Sequence, residues 1–420
     1  METVMEAIQL MENKQTDKAL ELLENYLPLS NDEEKYTIAE LYMNWGFLQE
    51  ARGILTQLLQ MYPDENNIKI ILADIYIELE DDERAINILS DIDIDDPTYI
   101  QALLQLADLY QAQGLFEVAE QKLLTAKQLE PNEVIIDFAL AELLFSTGAY
   151  QKAITYYEKV KLKAEEIATI SINERLAEAY AATGEYEIAL QYFQNIDNEN
   201  ADALFKYGFT ASQANRQDIA IKVWEQVIKN DPYYHTVYDQ LAKAYEEEEL
   251  IEEAYKTAKK GLKIDEYNKE LYFYAGALAH QLSKNAESES YIREAIALDP
   301  DYKEAIMFLI KMLKEKDKFT DIIDLITNIK TAGANDPLYE WELARAFVET
   351  ESYKNALKHY TEAYNSLNQD SEFLKEYGYF LIEEGRMREA ISILESYLIQ
   401  QPLDMEVEEY LERLKQSNES

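Results

Sequence analysis

The chain has 420 residues, with 82 Asp and Glu against 39 Lys and Arg, three His and no Cys, for a formal net charge of −43. The absence of Cys excludes disulfides, thiolate metal sites and thiol nucleophiles, and the charge repels phosphate backbones and anionic headgroups, so neither nucleic acid nor a membrane surface is expected as a direct ligand. With 47% hydrophobic residues the chain holds enough apolar surface to fold, and basic proteins become its favoured charged partners.

Taken in chain order, the sequence opens Met1-Glu2-Thr3 with no basic leader. Its longest apolar stretch, Leu271 to Ala279, falls short of the ~18 residues a membrane span needs, so a cytoplasmic protein is expected. A column of mostly small residues then recurs at Ala19, Ala51, Ala85, Ala119, Ala153, Ala189, Ala220, Ala254, Ser288, Ile322, Ala356 and Ala390. The spacing is 34 residues except for 32 at the start and for 36 and 31 on either side of the sixth copy. With this column numbered position 20 of each unit, position 8 is also small: Ala7, Ala39, Ala73, Ala107, Ala141, Ala177, Gly208, Ala242, Gly276, Ala344 and Gly378, with Ile310 the large one. Apolar residues at positions 4, 7, 8 and 11, and again at 20, 24 and 27, have helical period, so each unit predicts two amphipathic helices whose axes approach at the small columns. Gly114, Gly148, Gly184 and Gly385 mark the turn between them at position 15, and Pro63, Pro97, Pro131, Pro232, Pro300 and Pro402 end the second helix at position 32.

The unit Tyr99 to Pro131, carrying Leu103, Leu106, Ala107, Tyr110, Gly114, Phe116, Ala119, Leu123, Ala126 and Pro131, resembles the tetratricopeptide repeat. The resemblance runs from residue 1 to about residue 404. It implies an all-α, right-handed α-solenoid superhelix of about twelve helix-turn-helix repeats, closed by a C-terminal capping helix that carries Val407, Tyr410, Leu411 and Leu414 on one stripe. The expected division is 1–164 for repeats 1 to 5, 165–200 for an irregular repeat 6, 201–404 for repeats 7 to 12 and 405–420 for the cap and tail. Where the period slips, at residues 159–164 and 195–200, the superhelix either flexes or absorbs a harmless change of loop length.

Catalytic chemistry finds little support. His235, His280 and His359 stand in different repeats with no Cys or second His at ligand spacing, and no Gly-rich phosphate loop is present. Asp91 to Asp96 lacks the central Gly and closing Glu of a calcium loop. No enzyme activity and no cofactor are expected, because the repeats consume the chain.

What remains is the surface that the first helix of each pair presents. Positions 2, 5, 9 and 12 form a stripe separate from the packing stripe and should face the concave groove. In the N-terminal half this stripe holds Tyr36, Glu40, Met43, Ile70, Asp74, Ile77, Asp108, Phe138, Glu142 and Phe145; in the C-terminal half it holds Phe205, Phe209, Lys243, Phe273, Met307, Lys311, Trp341 and Arg345. Position 9 is thus acidic at the start and basic towards the end. The apolar position-5 residues either anchor a ligand or are covered by the neighbouring repeat. Likewise, Lys311 and Arg345 either take a carboxylate from a partner or pair with Glu315, Glu342 or Glu349. The expected function is a non-enzymatic scaffold or adaptor that holds a peptide or helical segment of a partner protein, with basic or amphipathic character. Nucleic-acid-handling machinery that is itself protein falls among the partners such a charge would suit. The alternative is a peptide-responsive regulatory or chaperone-like protein whose superhelical pitch changes on binding.

Overall fold

The computed structural model describes residues 2–197 and 199–418; Met1, Asn198 in the second period slip, and Glu419 and Ser420 in the tail lie outside the described residues. The chain forms two compact units, Met1–Ala214 and Asn215–Ser420. The dividing point falls inside the seventh repeat, between its two helices.

The first unit contains α1 (Glu2–Glu12), α2 (Thr16–Tyr26), α3 (Asp32–Asn44), α4 (Leu48–Met61), α5 (Asn66–Glu78), α6 (Asp82–Ser90), α7 (Tyr99–Ala112), α8 (Phe116–Leu129), α9 (Val134–Ser146), α10 (Tyr150–Lys161), α11 (Ile172–Ala182), α12 (Tyr186–Phe193) and α13 (Ala201–Gln213). The second contains α14 (Gln217–Asn230), α15 (Thr236–Glu247), α16 (Ile251–Gly261), α17 (Lys269–Gln281), α18 (Asn285–Leu298), α19 (Lys303–Lys314), α20 (Phe319–Thr331), α21 (Pro337–Glu349), α22 (Tyr353–Leu367), α23 (Ser371–Glu383), α24 (Met387–Gln400) and α25 (Met405–Asn418). The fold is all-α, built from helix pairs, and the pairs that lie within one unit close on the two small columns, whose Ala side chains are fully buried or nearly so. At Gly276 and Gly378 of position 8 the partner helix leaves no room for a side chain. A Cβ on Gly276 would meet Ile292 Cδ1 at 2.6 Å, and one on Gly378 would meet Leu394 Cδ2 at 2.5 Å. Ser288, standing where all other repeats but the tenth have Ala, donates its hydroxyl to the Gly276 carbonyl at 2.8 Å, so the polar atom is satisfied inside that contact.

All twelve position-15 residues adopt positive φ, although only five are Gly. Lys14, Glu80, Asn215, Glu249, Ser283, Asp317 and Glu351 take the left-handed conformation at φ between 51° and 60°, because the two helices can reverse only through that geometry. An L-residue costs about 1–2 kcal/mol there and Gly returns part of that as chain entropy. Glu80→Gly and Glu351→Gly are therefore each expected to stabilise the protein by about 0.5–1 kcal/mol, read as a higher urea midpoint at unchanged m.

Position 4 corrects the sequence reading. It is not uniformly apolar: Lys69, Asp137, Asn173 and Glu340 are buried there. Two of them reach the second helix of the preceding repeat: Asp137 lies 2.6 Å from Lys127, and Glu340 pairs with Lys330. Lys69 stays within its own repeat, its Nζ 2.8 Å from Asp91 at the end of α6. The first two ion pairs join successive repeats at a column where Leu103, Leu204, Ile306 and Leu374 are buried as apolar contacts.

The two period slips have local causes. The extra residues before repeat 6 form a small antiparallel hairpin, β1 (Glu166–Ile167) and β2 (Ile170–Ser171), in which Ala168 turns at φ +55°. Ser171 then caps α11 by accepting from Glu174 N. The short spacing after it reflects an eight-residue α12, and Asn200 caps α13 by accepting from the amides of Asp202 and Ala203 at 3.1 Å. At the other end Val407 and Leu411 of α25 bury against the cluster of α23 and α24.

Candidate protein-binding face

In the first unit the face is built by the first helices of successive repeats. Position 9 of one repeat meets position 6 of the next, one helix along. Gln105 donates to Asp74 Oδ1 at 2.5 Å, joining α7 to α5. Arg175 Nε lies 2.9 Å from Glu142 and its Nη1 3.1 Å from Glu178, joining α11 to α9, and Lys206 of α13 bonds to Glu178. Two of the five acids at position 9 are thereby neutralised by cations of the chain itself. Glu40, Asp74 and Asp108 are not: among the described residues no Lys or Arg pairs with any of them. The reason lies in position 6, which is Ile71 opposite Glu40, neutral Gln105 opposite Asp74, and Ala139 opposite Asp108.

The electrostatics agree with that arrangement. Burial and the nearby Glu78 raise the Asp74 carboxyl above its ordinary pKa, against the hydrogen bond from Gln105 that lowers it. Asp108 keeps contact with water, yet partial desolvation on this face raises its pKa as well. These are carboxylates held without counter-charge, a surface whose energy falls when a cation arrives.

The apolar members of the predicted stripe lie deeper. Ile70 and Phe138 are buried between repeats, while Tyr36, Met43, Ile77 and Phe145 are half-buried against the same clusters. Each half-buried one offers an edge, not a whole side chain. On α13, Phe205 is half-buried and Phe209 is exposed.

In the second unit Phe273 is half-buried, edge-to-face with Tyr302 and Phe308, and Met307 packs on the neighbouring core. Lys243 is exposed and sits 2.7 Å from Asp239 on its own helix. Lys311 is exposed, with no ion-pair partner among the described residues. Trp341 is only 6% exposed, and its indole donates to Glu376 Oε1 at 2.8 Å. Arg345 stacks 3.9 Å from the Trp341 ring centroid, bonds to Glu376 through Nε at 2.8 Å and Nη2 at 2.5 Å, and reaches Glu342 at 3.1 Å. Tyr360 adds a further hydrogen bond to Glu376 at 2.8 Å. The charge of Arg345 is thus taken up by the chain's own carboxylates. Burial would raise the Glu376 pKa, but Arg345, Trp341 and Tyr360 outweigh it and hold that carboxyl below the usual range.

The models that match the chain are YpiA-like, C-terminal tetratricopeptide repeats over residues 337–404, YpiA-like tetratricopeptide repeats over 111–165, a tetratricopeptide repeat over 202–232 and a tetratricopeptide repeat protein 21 ARM repeat over 1–114. Over 414 residues, 98% of this chain and 98% of the relative, the sequence is 40% identical to the TPR repeat-containing protein YpiA of Bacillus subtilis (strain 168). The chain belongs to the tetratricopeptide repeat family. It is also 25% identical over 171 residues to the Hsp70-Hsp90 organising protein of Plasmodium falciparum, which spans 41% of this chain and 66% of that protein. Among solved structures, YrrB, a TPR protein with an unusual peptide-binding site, aligns over 44% of this chain and 96% of its own at 16% identity and a TM-score of 0.38. The Cut9-Hcn1 assembly of APC/C aligns over 97% of this chain and 95% of its own at 14% identity and a TM-score of 0.33.

Within this tetratricopeptide repeat chain, the residues that sequence reading missed share one column. Gln105, Arg175, Lys206 and Glu376 all occupy position 6, and reading position 9 of one repeat against position 6 of the next would have found them. The histidine reading also gains detail. His359 Nδ1 lies 2.7 Å from Glu340, its ring stacks on Phe347, and Glu362 completes a group whose ligand atoms fall within 4.8 Å. The Lys330 ammonium already bonds to Glu340 in that group, which makes it a partly buried charge network between repeats. Among the described residues no helix is long and apolar enough to cross a membrane.

Proposed function

We propose that this tetratricopeptide repeat protein is a non-catalytic scaffold that holds a basic, amphipathic segment of a partner protein on the α3–α5–α7 face. The observation that carries the reading is the unneutralised set Glu40, Asp74 and Asp108 beside the partly open edges of Tyr36, Met43 and Ile77. Lys or Arg side chains supply the missing counter-charge, and the apolar edges supply contact that salt does not screen. The first unit as a whole carries 14 basic against 40 acidic residues, so long-range attraction favours the same partner class.

The test is capture of partner proteins from the cell of origin by the full chain and by an E40K/D74K/D108K variant, eluted in rising salt. Loss of the same basic partners from the variant, with helicity intact, is the expected result; identical capture by both chains removes the proposal.

A further inference from the structure

The tenth repeat departs from the others in both small columns, and the departure has a structural consequence. Ile310 and Ile322 are fully or almost fully buried between α19 and α20, where other repeats place Ala, Gly or Ser. Of the helix pairs within repeats of the second unit, α19 and α20 approach each other least. Beside them, between the second helices of repeats 9 and 10, lies a groove of about 530 Å3. It is on the opposite helices from the α3–α5–α7 type of face, and no function considered so far uses it.

The floor of the groove is apolar: Ile296 from α18, with Leu325 and Ile329 from α20. Ala297 and Ala332 stand exposed at its mouth and offer little side chain to fill it. The positions contributed by α20 follow the i, i+4, i+7 stripe of a helix surface, over an element of 13 residues, about 20 Å long. Such a floor matches another helix laid alongside.

Charge selects the occupant. Arg293, the one cation among the lining residues described, is held 3.0 Å from Glu289, which it shares with Lys316, and Asp321 lies 3.3 Å from Lys318. Asp324 is exposed with no ion-pair partner among the described residues, so the lining charge left without a partner is a carboxylate. A second copy of this chain would bring another net charge of −43 to an acidic rim, which disfavours self-association. We infer that the α18–α20 groove is a second protein-docking site, which takes an amphipathic helix of a partner with an apolar ridge seated on Ile296, Leu325 and Ile329 and a Lys or Arg beside Asp324.

The test uses the full chain in a D74N/D108N background, so that the acidic face proposed above contributes least and the two sites fail separately. The probe is a fluorescent helical peptide of about 14 residues with Leu on one ridge and Lys flanking it, carrying a central benzophenone, measured at about 0.15 M salt. Binding is expected with cross-links confined to α18 and α20. Ala297→Trp with Ala332→Trp, which fills the groove from exposed positions, should weaken binding by about tenfold or more at an unchanged melting temperature, and Asp324→Lys should weaken it by several-fold. The inference is overturned by cross-links elsewhere, by equal affinity in the filled variant, by no detectable binding, or by equal binding of a matched peptide with Glu in place of Lys.

Discussion

Arg345→Ala is expected to lower the stability of the second unit by about 3 kcal/mol, a large share of what holds a domain folded. The substitution takes from Glu376 its Arg345 partner, leaves Glu342 with Lys314 alone, and removes the guanidinium stacked on Trp341. Arg345→Lys keeps a point charge but not the fork that spans two carboxylates, so an intermediate loss is expected. Combining Arg345→Ala with Glu376→Gln should recover part of it, because the orphaned charge is then gone. Urea unfolding followed by circular dichroism and by tryptophan fluorescence measures all three, and a loss below about 1 kcal/mol for the alanine variant would show that the network does not hold the repeats. Acid should act on the same region. Glu376 is held below the usual range, and Glu340 is lowered to about 2: burial would raise it, but bonds from His359 and Lys330 outweigh that. Carboxyls with depressed native pKa contribute stability above their unfolded value of ~4.3, and this is lost as pH falls towards the native values. The second unit should therefore loosen between about pH 4.5 and 2.

Asp74→Asn with Asp108→Asn is expected to have opposite effects on binding and on stability. At about 0.2–1 kcal/mol per exposed pair, losing two attractive sites weakens capture of a basic segment by roughly two- to thirtyfold. Stability should hold or rise. Both native pKa values are raised, so at neutral pH the folded chain bears a charge that the unfolded chain bears more easily; the native carboxyls favour folding only as pH falls through their titration range. Asn removes that penalty while keeping the size of the side chain. Isothermal titration with a Lys-rich amphipathic peptide, alongside thermal melts of both proteins, separates the two effects. Weaker binding with a lower melting temperature would mean that these residues are structural, and unchanged binding would remove them from the proposed face.

The sequence by itself determined what repeats within one helix pair. The 34-residue period, the small columns at positions 8 and 20 and the turn at position 15 are local demands: two helices must meet closely and the chain must reverse between them. Every copy but the tenth therefore carries a small residue at both columns, and the left-handed turn survives at Glu80 and Glu351, where Gly does not announce it. Tertiary structure decided what one repeat does to the next. Whether Trp341 is an open anchor or a buried one, whether Arg345 is free or held by Glu376, and whether Asp108 finds a cation all depend on the rotation between successive pairs. That rotation brings position 6 under position 9 of the preceding repeat and position 4 under its second helix, a relation absent from the periodicity of any single helix. The hairpin at Glu166–Ser171 and the groove beside Ile310 and Ile322 follow the same logic: a length or volume change is visible in the sequence, but the space it fills or opens is set by the neighbours packed around it.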